Sequence, residues 1–350
     1  MGRDVAVGER SSLRGFSRPS QTAESSNRVP TAMSSIPSGR SGPTPTLALV
    51  TAAAARDLDE DLPPLEAALR ALPGIHVSVV DWDDVAVDWS SFDLALLRST
   101  WDYSQRLPEF LDWATRAAAR TTLLNPLAVV RWNTDKHYLN DLAEAGIATV
   151  PSVFVEPGES ARGALESFLR HHVPPSDGDG GGEFVVKPAI GAGSRDAQRY
   201  ERDEIEAAVA HCQRLLDGRR SVLLQPYLDR VDEHGETALI FFAGRFSHAI
   251  RKGPLLRRGE GPTRALFATE HITPRAPSPD ELRLAERTLA AMPFPGPLLY
   301  ARIDLIHDAA GAPCVLELEL TEPSLFFDHA PDSAERFAEA VVASAAAAKR

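Results

Sequence analysis

Leu299-Tyr-Ala-Arg302-Ile-Asp304-Leu-Ile306 and, after a turn at His307 to Ala312, Cys314-Val-Leu-Glu317-Leu-Glu319-Leu-Thr-Glu322 decide how this chain is read. Two apolar runs joined by a short glycine-containing turn predict a β-hairpin. Side chains alternate along a strand, so Arg302 and Asp304 share one face of the first run, and Glu317 and Glu319 share one face of the second. Three carboxylates then gather on one patch. In an otherwise apolar hairpin they repel one another and lose hydration unless hard cations neutralise them. Oxygen-only ligands select Mg²⁺ or Mn²⁺, which makes Asp304, Glu317 and Glu319 the candidate metal ligands. The plain alternative is a half-exposed strand with its acids in water.

Candidate phosphate-binding groups lie upstream. Arg131-Trp-Asn-Thr-Asp-Lys136 precedes the helical period of HYLNDLAEAG, which stops at Gly146. With Thr134 as the helix N-cap, Lys136 falls in the first turn, where a cation opposes the helix dipole and a bound anion relieves the conflict. A solvated lysine explains it as well. Glu183-Phe-Val-Val-Lys187-Pro188 reads as a strand ending in a lysine, followed by the small-residue loop Ala189-Ile-Gly191-Ala-Gly193-Ser194. Small residues let backbone N–H groups close over phosphates, and a strand-borne lysine offers a fixed charge; a glycine-rich hairpin has the same appearance. The insert from Ser176 to Gly182 reads as a flexible surface loop. Ser221 to Leu228, containing Gln225 and Tyr227, is a strand running into a hinge-like segment. Glu236 opens a β-run that reaches Gly244, and the next run ends at Arg251-Lys252. Those two cations mark either a solvated tip or, beside a nucleotide, contacts to a γ-phosphate or a substrate carboxylate.

The earlier part of the chain alternates β and α. Leu47 to Thr51, Ile75 to Trp82 and Phe92 to Ser99 are strand-like and are separated or followed by helical patterns, which predicts a doubly wound α/β lobe. Ligands bind at the carboxyl edge of such sheets, so Arg98, Ser99, Thr100, Trp101 and Asp102 are candidate substrate contacts; the alternative is a surface loop with one packed tryptophan. No GxGxxG follows the first strand and no GxxxxGK[ST] occurs anywhere, which excludes dinucleotide-binding and P-loop readings.

Composition narrows the partners. Asp+Glu 49 against Lys+Arg 37 gives a net charge of -12, the wrong sign for a nucleic-acid binder. No apolar run approaches the ~20 residues that span a bilayer, so no membrane helix is expected. Cys212 and Cys314 form no CxxC pattern, which excludes a disulfide framework or zinc site and points to the cytoplasm. Residues 1 to 44 hold ten Ser, four Pro, five Gly and six Arg with few large apolar side chains, and so read as a disordered tail. A transit peptide, or a start codon assigned upstream of Met33, are the alternatives. The histidines are scattered, with His248 and His271 read as packing or surface residues, and no Ser-His-Asp or Cys-His set is required.

In order along the chain, VDWDD, LRSTWDY, RWNTDK, KPAIGAGSRD, QPYL, GETALIFF, RKGP and ELELTEPS resemble the ATP-grasp ligases. More narrowly they resemble the O-ureido-serine cyclo-ligase branch, which closes the ring of cycloserine. The resemblance runs from about Leu47 to Ala345. It implies an α/β fold of α+β lobes: a tail at 1–45, an N-terminal doubly wound substrate lobe at 46–128, a central lobe at 129–225 and a C-terminal lobe with the metal site at 226–350. It implies that Lys136 and Lys187 hold the phosphates of ATP under a lid containing Gly191, Gly193 and Ser194. Gln225, Tyr227 and Leu228 would border the adenine, and Glu236, with Asp232 as the alternative, would take the ribose hydroxyls. Arg302 would stabilise the transferring phosphoryl group, with Lys252 and Arg251 as further catalytic cations. Asp304, Glu317 and Glu319 would hold two Mg²⁺, or Mn²⁺, although Glu319 stands where the commoner pattern has Asn, which leaves the stoichiometry open. Arg98, Ser99, Thr100, Asp102, Glu322 and Ser324 would face a small amino-acid-derived substrate.

The reaction so implied is phosphorylation of a carboxylate by ATP, followed by attack of a nitrogen within the same molecule. Two other readings compete: an intermolecular amino-acid or peptide ligase, and a non-enzymatic nucleotide-binding protein. The three acids with Arg302 argue against the last.

Overall fold

In the first sheet, strands β1 (Thr46–Thr51), β2 (His76–Asp81), β3 (Leu94–Leu97) and β4 (Thr122–Leu124) pair in parallel in the order β2-β1-β3-β4. The computed structural model describes residues 44–173, 182–259, 261 and 271–348. The expected tail, with Met33, and the insert from Ser176 lie outside these residues, save Thr44, Pro45 and Gly182.

Alternation along the central strands divides this sheet into two buried faces. Leu47, Leu49, Leu94 and Leu96 pack against helix α1 (Leu62–Ala71). Ala48, Val50, Ala95 and Leu97 face Phe110, Trp113 and Ala114 of α2 (Tyr103–Ala118). The chain then passes through α3 (Leu127–Asn133) and α4 (Tyr138–Glu144), where Gly146 takes φ +78° and ends the helical run as its residue type predicts.

The second sheet is antiparallel, in the order β5-β8-β6-β7, from β5 (Val153–Val155), β6 (Phe184–Pro188), β7 (Gln198–Tyr200) and β8 (Val222–Pro226). Phe184, Val186, Val222 and Leu224 bury one face under α5 (Ala161–His172) and α6 (Ile205–Asp217). Val185, Lys187 and Gln225 alternate with them and line a cavity.

A short helix, α7 (Arg230–His234), leads into the third sheet. It comprises β9 (Glu236–Phe242), β10 (Arg245–Lys252), β11 (Ile272–Arg275), β12 (Tyr300–His307) and β13 (Pro313–Glu319), antiparallel in the order β11-β10-β9-β12-β13. One face, with Leu239, Phe241, Ala301, Ile303 and Leu305, packs against α8 (Pro279–Ala291) and α4. The other face changes character along its length. At one end Ile240, Phe242 and Tyr300 meet Phe337 and Val341 of α9 (Ser333–Ala348), which also packs on α1. At the other end Glu236, Lys252, Arg302 and Asp304 line the same cavity. A single strand face thus anchors the first lobe with its apolar half and presents chemistry with its charged half.

Candidate active site

The cavity has a volume of about 670 Å³ and draws its walls from the second and third sheets and, beside the first, from Asp61, Trp101 and Tyr103. Arg302 pairs with Glu319 and Asp304 with Glu317 across the expected hairpin, and the register shifts between Asp304 and Leu305. All four side chains line the cavity. They do so as ion pairs with neighbouring cations. Arg302 donates Nε to Oδ1 of Asp304 at 2.9 Å and is hydrogen-bonded to Glu319. Lys252, at the end of β10, reaches Asp304 at 2.7 Å and also bonds Glu236. Lys136 stands 2.8 Å from Glu317.

These pairings separate the carboxyls by charge state. Burial opposes ionisation of Asp304, but Arg302 and Lys252 outweigh it and hold the carboxyl well below the usual range. Burial likewise opposes Glu317, and Lys136 and Lys187 outweigh it in the same direction. Glu319 keeps the opposite sign: burial, with Glu317 and Asp304 nearby, pushes it up to about 7 despite Arg302. Burial raises Glu322 to about 8, with Glu319 adding to the rise.

The donor set fits a hard divalent cation in kind: oxygen-only, on one face of a hairpin, with Asp304 buried and Glu317 and Glu319 half-buried. In this structure Lys136, Lys252 and Arg302 sit at those oxygens, and among the described residues no three acidic, histidine or cysteine side chains converge closely enough to hold a metal ion. A metal at Asp304, Glu317 and Glu319 therefore has to compete with Lys136 and Arg302 for the same carboxylates.

The phosphate end differs from the sequence expectation in one respect. Thr134 does not cap a helix N-terminus: α3 already runs to Asn133, Thr134 closes it with its N–H on Val130 O at 3.1 Å, and its buried hydroxyl has no hydrogen-bond partner. Lys136 therefore lies in the link between α3 and α4, fixed by its N–H on Ala189 O at 3.0 Å and its ammonium on Gly191 O at 3.1 Å. The loop that accepts these bonds has Gly193 at φ +62°, while a Cβ on Gly191 would come within 3.3 Å of Pro188. Ser194, in the same loop, points a buried hydroxyl that has no partner. Lys187 lines the cavity, and burial lowers its ammonium to about 8.

Further along the wall, Gln225 is buried and donates to Ser152 Oγ at 2.9 Å, with Tyr227 and Leu228 beside it. Glu236 lines the cavity, and burial pushes its carboxyl up to about 8 against the pull of Lys252. Asp232, the alternative, instead accepts from the Tyr227 hydroxyl and is not part of the lining. Arg251 alternates to the other side of β10 and donates to the carbonyls of His234 and Glu233, so the structure does not bring it into the cavity.

The loop after β3 behaves unexpectedly. Arg98, Ser99, Thr100 and Asp102 form a layer behind the wall. Arg98 is 1% exposed and donates to Pro323 O at 3.1 Å, Ser99 bonds Thr51 at 2.6 Å, and Asp102 accepts from Trp82 Nε1 at 2.9 Å. Thr100 is buried, and its hydroxyl has no partner. Trp101 and Tyr103 reach the cavity, together with Glu322 and Ser324. The Trp101 indole donates to Glu322 O at 3.1 Å, and the Tyr103 hydroxyl bonds the Glu322 carboxylate.

Three residues that the motifs did not single out position this end. Asn133 pairs like a strand with β13, donating to Leu318 O at 2.7 Å and accepting from Leu320 N at 2.6 Å. Asn125 does the same between Tyr300 and Leu320, at 2.9 Å to each carbonyl. Asp61 accepts from the N–H groups of Leu325, Phe326 and Phe327 at 2.5, 3.1 and 2.9 Å. Only Asn133 sits inside a quoted motif, RWNTDK, and a buried Asn next to a helix end is the signal that could have found it.

Residues 47–125 match the family described as D-cycloserine synthetase DcsG, N-terminal domain. The chain is 42% identical over 299 residues to the cycloserine biosynthesis protein DcsG of Streptomyces lavendulae, a match covering 84% of this chain and 97% of that protein. The crystal structure of D-cycloserine synthetase DcsG superposes with a TM-score of 0.79 at 41% identity, covering 86% of this chain and 99% of that one. ATP-grasp ligase PsnB complexed with minimal precursor, Mg and ADP shares the fold at 18% identity, with a TM-score of 0.56 over 87% of this chain and 98% of its own.

Proposed function

This chain belongs to the D-cycloserine synthetase family of ATP-grasp ligases, and on that premise we propose that it is an ATP-dependent cyclo-ligase forming a C–N bond within one small amino-acid-derived molecule of the O-ureido-serine type. The observation that carries the reading is the convergence of Lys136, Lys187, Lys252 and Arg302 with three carboxylates on one cavity.

Both reactants are anionic, so the first task of the site is to reduce repulsion. Lys136 and Lys187 would meet the ATP phosphates beside the Gly191 to Ser194 loop, with Gln225, Tyr227, Leu228 and Glu236 on the nucleoside side. Arg302, already bonded to Asp304 and Glu319, is the cation for charge that develops on the transferring phosphoryl group. Mg²⁺, or Mn²⁺ in its place, held by Asp304, Glu317 and Glu319, would supply charge neutralisation at the phosphate oxygens. Trp101, Tyr103, Glu322 and Ser324 are the substrate side, and Arg98, Ser99, Thr100 and Asp102 act on it through the wall. The acyl phosphate formed on the substrate carboxylate then meets a nitrogen of the same molecule, where effective molarities reach on the order of 10⁵ M, so no second amine has to be bound.

The lobes at 46–128, 129–225 and 226–350 are part of this proposal, supported by one sheet in each. So is a cytoplasmic setting, supported by two buried free cysteines; among the described residues no helix is long and apolar enough to cross a membrane. The test is ADP release from ATP with a single ureido-amino acid, with and without added free amine, and the product identified by mass spectrometry. A cyclic product with no amine dependence is expected. Strict dependence on a second amino acid, with a linear dipeptide formed, would replace this reading with the intermolecular ligase.

A further inference from the structure

Glu183, just before β6, is 5% exposed, yet two guanidinium groups grip its carboxylate. Arg199 on β7 donates Nε to Oε1 at 2.8 Å and Nη2 to Oε2 at 2.6 Å. Arg258 donates its own Nε and Nη2 to the same two oxygens, both at 3.0 Å. Each is a planar fork on a carboxylate, a geometry that lysine cannot reproduce.

The two arginines belong to different parts of the fold. Arg199 is in the second sheet with Glu183. Arg258 follows the segment Gly253–Leu256, which leaves the third sheet at Lys252 and lines the cavity throughout. Its fork thus ties a strap that begins beside the phosphate-side cation to the opposite sheet. The same carboxylate is connected to the aromatic wall: the Arg199 guanidinium lies 3.5 Å above the Tyr227 ring, and the Tyr227 N–H donates to Glu183 O at 2.9 Å.

We infer that Arg258 is a positioning residue for the nucleotide, its fork on Glu183 holding the Gly253–Leu256 strap against the Tyr227 wall and so setting how long the adenine half of ATP is retained. The inference rests on the reading that this cavity takes ATP. A half-exposed ion pair stabilises the fold only weakly. Its value here is to hold the strap in place before ligand arrives, which lowers the ordering entropy lost on binding. Phosphoryl transfer, which depends on Lys136, Lys187 and Arg302, is left alone.

The experiment compares the full-length wild type with Arg258→Ala and Arg258→Lys. It measures kcat and KM for ATP from ADP release, the dissociation rate of N-methylanthraniloyl-ATP chased with ATP, and the melting temperature. In both variants KM should rise and dissociation should quicken by about two- to fivefold, the scale of a partly exposed charge pair, with kcat unchanged within error and melting unchanged. Failure of lysine to rescue identifies the fork as the cause. Wild-type KM and dissociation in Arg258→Ala would overturn the inference, as would a loss of kcat and melting temperature at constant KM. A wild type that neither binds the analogue nor releases ADP would overturn the ATP reading itself, before any variant is compared.

Discussion

The ammonium of Lys136 stands 2.8 Å from Oε1 of Glu317, so the cation assigned to the phosphates and the carboxylate assigned to the metal are each other's partner. On the proposed reading nucleotide and metal would divide an existing ion pair between them, Lys136 meeting phosphate and Glu317 the cation, an exchange nearly neutral in charge that would spare a buried site a large desolvation cost.

Replacing Glu317 by Gln breaks the exchange on one side only. ADP release should fall by at least about a hundredfold, as for loss of a metal-held transition-state charge, while the melting temperature changes little. Nucleotide affinity measured without Mg²⁺ should hold or improve because Lys136 is released. Wild-type turnover at limiting Mg²⁺ would remove Glu317 from the metal site.

Lys187 supplies the part of the pH dependence that lies above about 8, beyond the raised carboxyls of Glu319, Glu236 and Glu322. Burial lowers its ammonium to about 8, below the ordinary lysine value, so between about 8 and 10.5 the unfolded chain binds more protons than the native one. Stability contributed by this group therefore rises with pH through that window, and below it the buried charge is a cost. Lys187→Met should melt at or above the wild type at pH 7, yet bind ATP roughly tenfold or more weakly. In the wild type, ATP binding near pH 8.5 should take up a proton, seen as a difference in calorimetric enthalpy between buffers of unlike ionisation heat.

Asp61 holds the Leu325 to Phe327 amides, and its Oδ2 also lies 3.8 Å from the buried Arg98. Asp61→Ala should cost about 2–4 kcal/mol in denaturant unfolding, because it leaves three amides without their acceptor and takes a carboxylate away from the buried Arg98 guanidinium. Asp61→Asn keeps an acceptor oxygen and should lose less. Arg98→Ala should raise the substrate KM together with a loss of stability, since Arg98 acts from behind the wall.

Asn133 aligns β13, which carries Glu317 and Glu319. Asn133→Ala should lower kcat about tenfold or more with little change in KM for ATP, because a small misplacement of charged groups is felt mainly in the transition state. An unchanged kcat would show that β13 keeps its register without the side chain.

Much of the fold was legible from periodicity. The alternation of Leu47 to Val50 with apolar residues on both faces requires helices on both sides of the first sheet, and the two runs around Arg302 and Glu319 form the expected hairpin. Lys187 and the Gly191 loop were marked by residue type, because small residues let backbone N–H groups close over an anion beside a fixed charge. Thr134 was misread because local capping preference cannot tell a residue that starts a helix from one that ends it when two short helices abut.

What the sequence by itself determined were the strand faces and the identities of charges on them, since period-2 geometry is local and depends only on the backbone. Which of those charges meet was decided by tertiary structure alone. Arg251 and Lys252 are neighbours in the chain, yet one bonds the carbonyls of His234 and Glu233 while the other reaches Asp304, more than fifty residues away. Arg98 and Asp102 flank Trp101, yet only the tryptophan reaches the cavity. The physical reason is that an ion pair's partner is set by the packing of whole sheets against one another, which sums many distant apolar contacts that no local window of sequence contains.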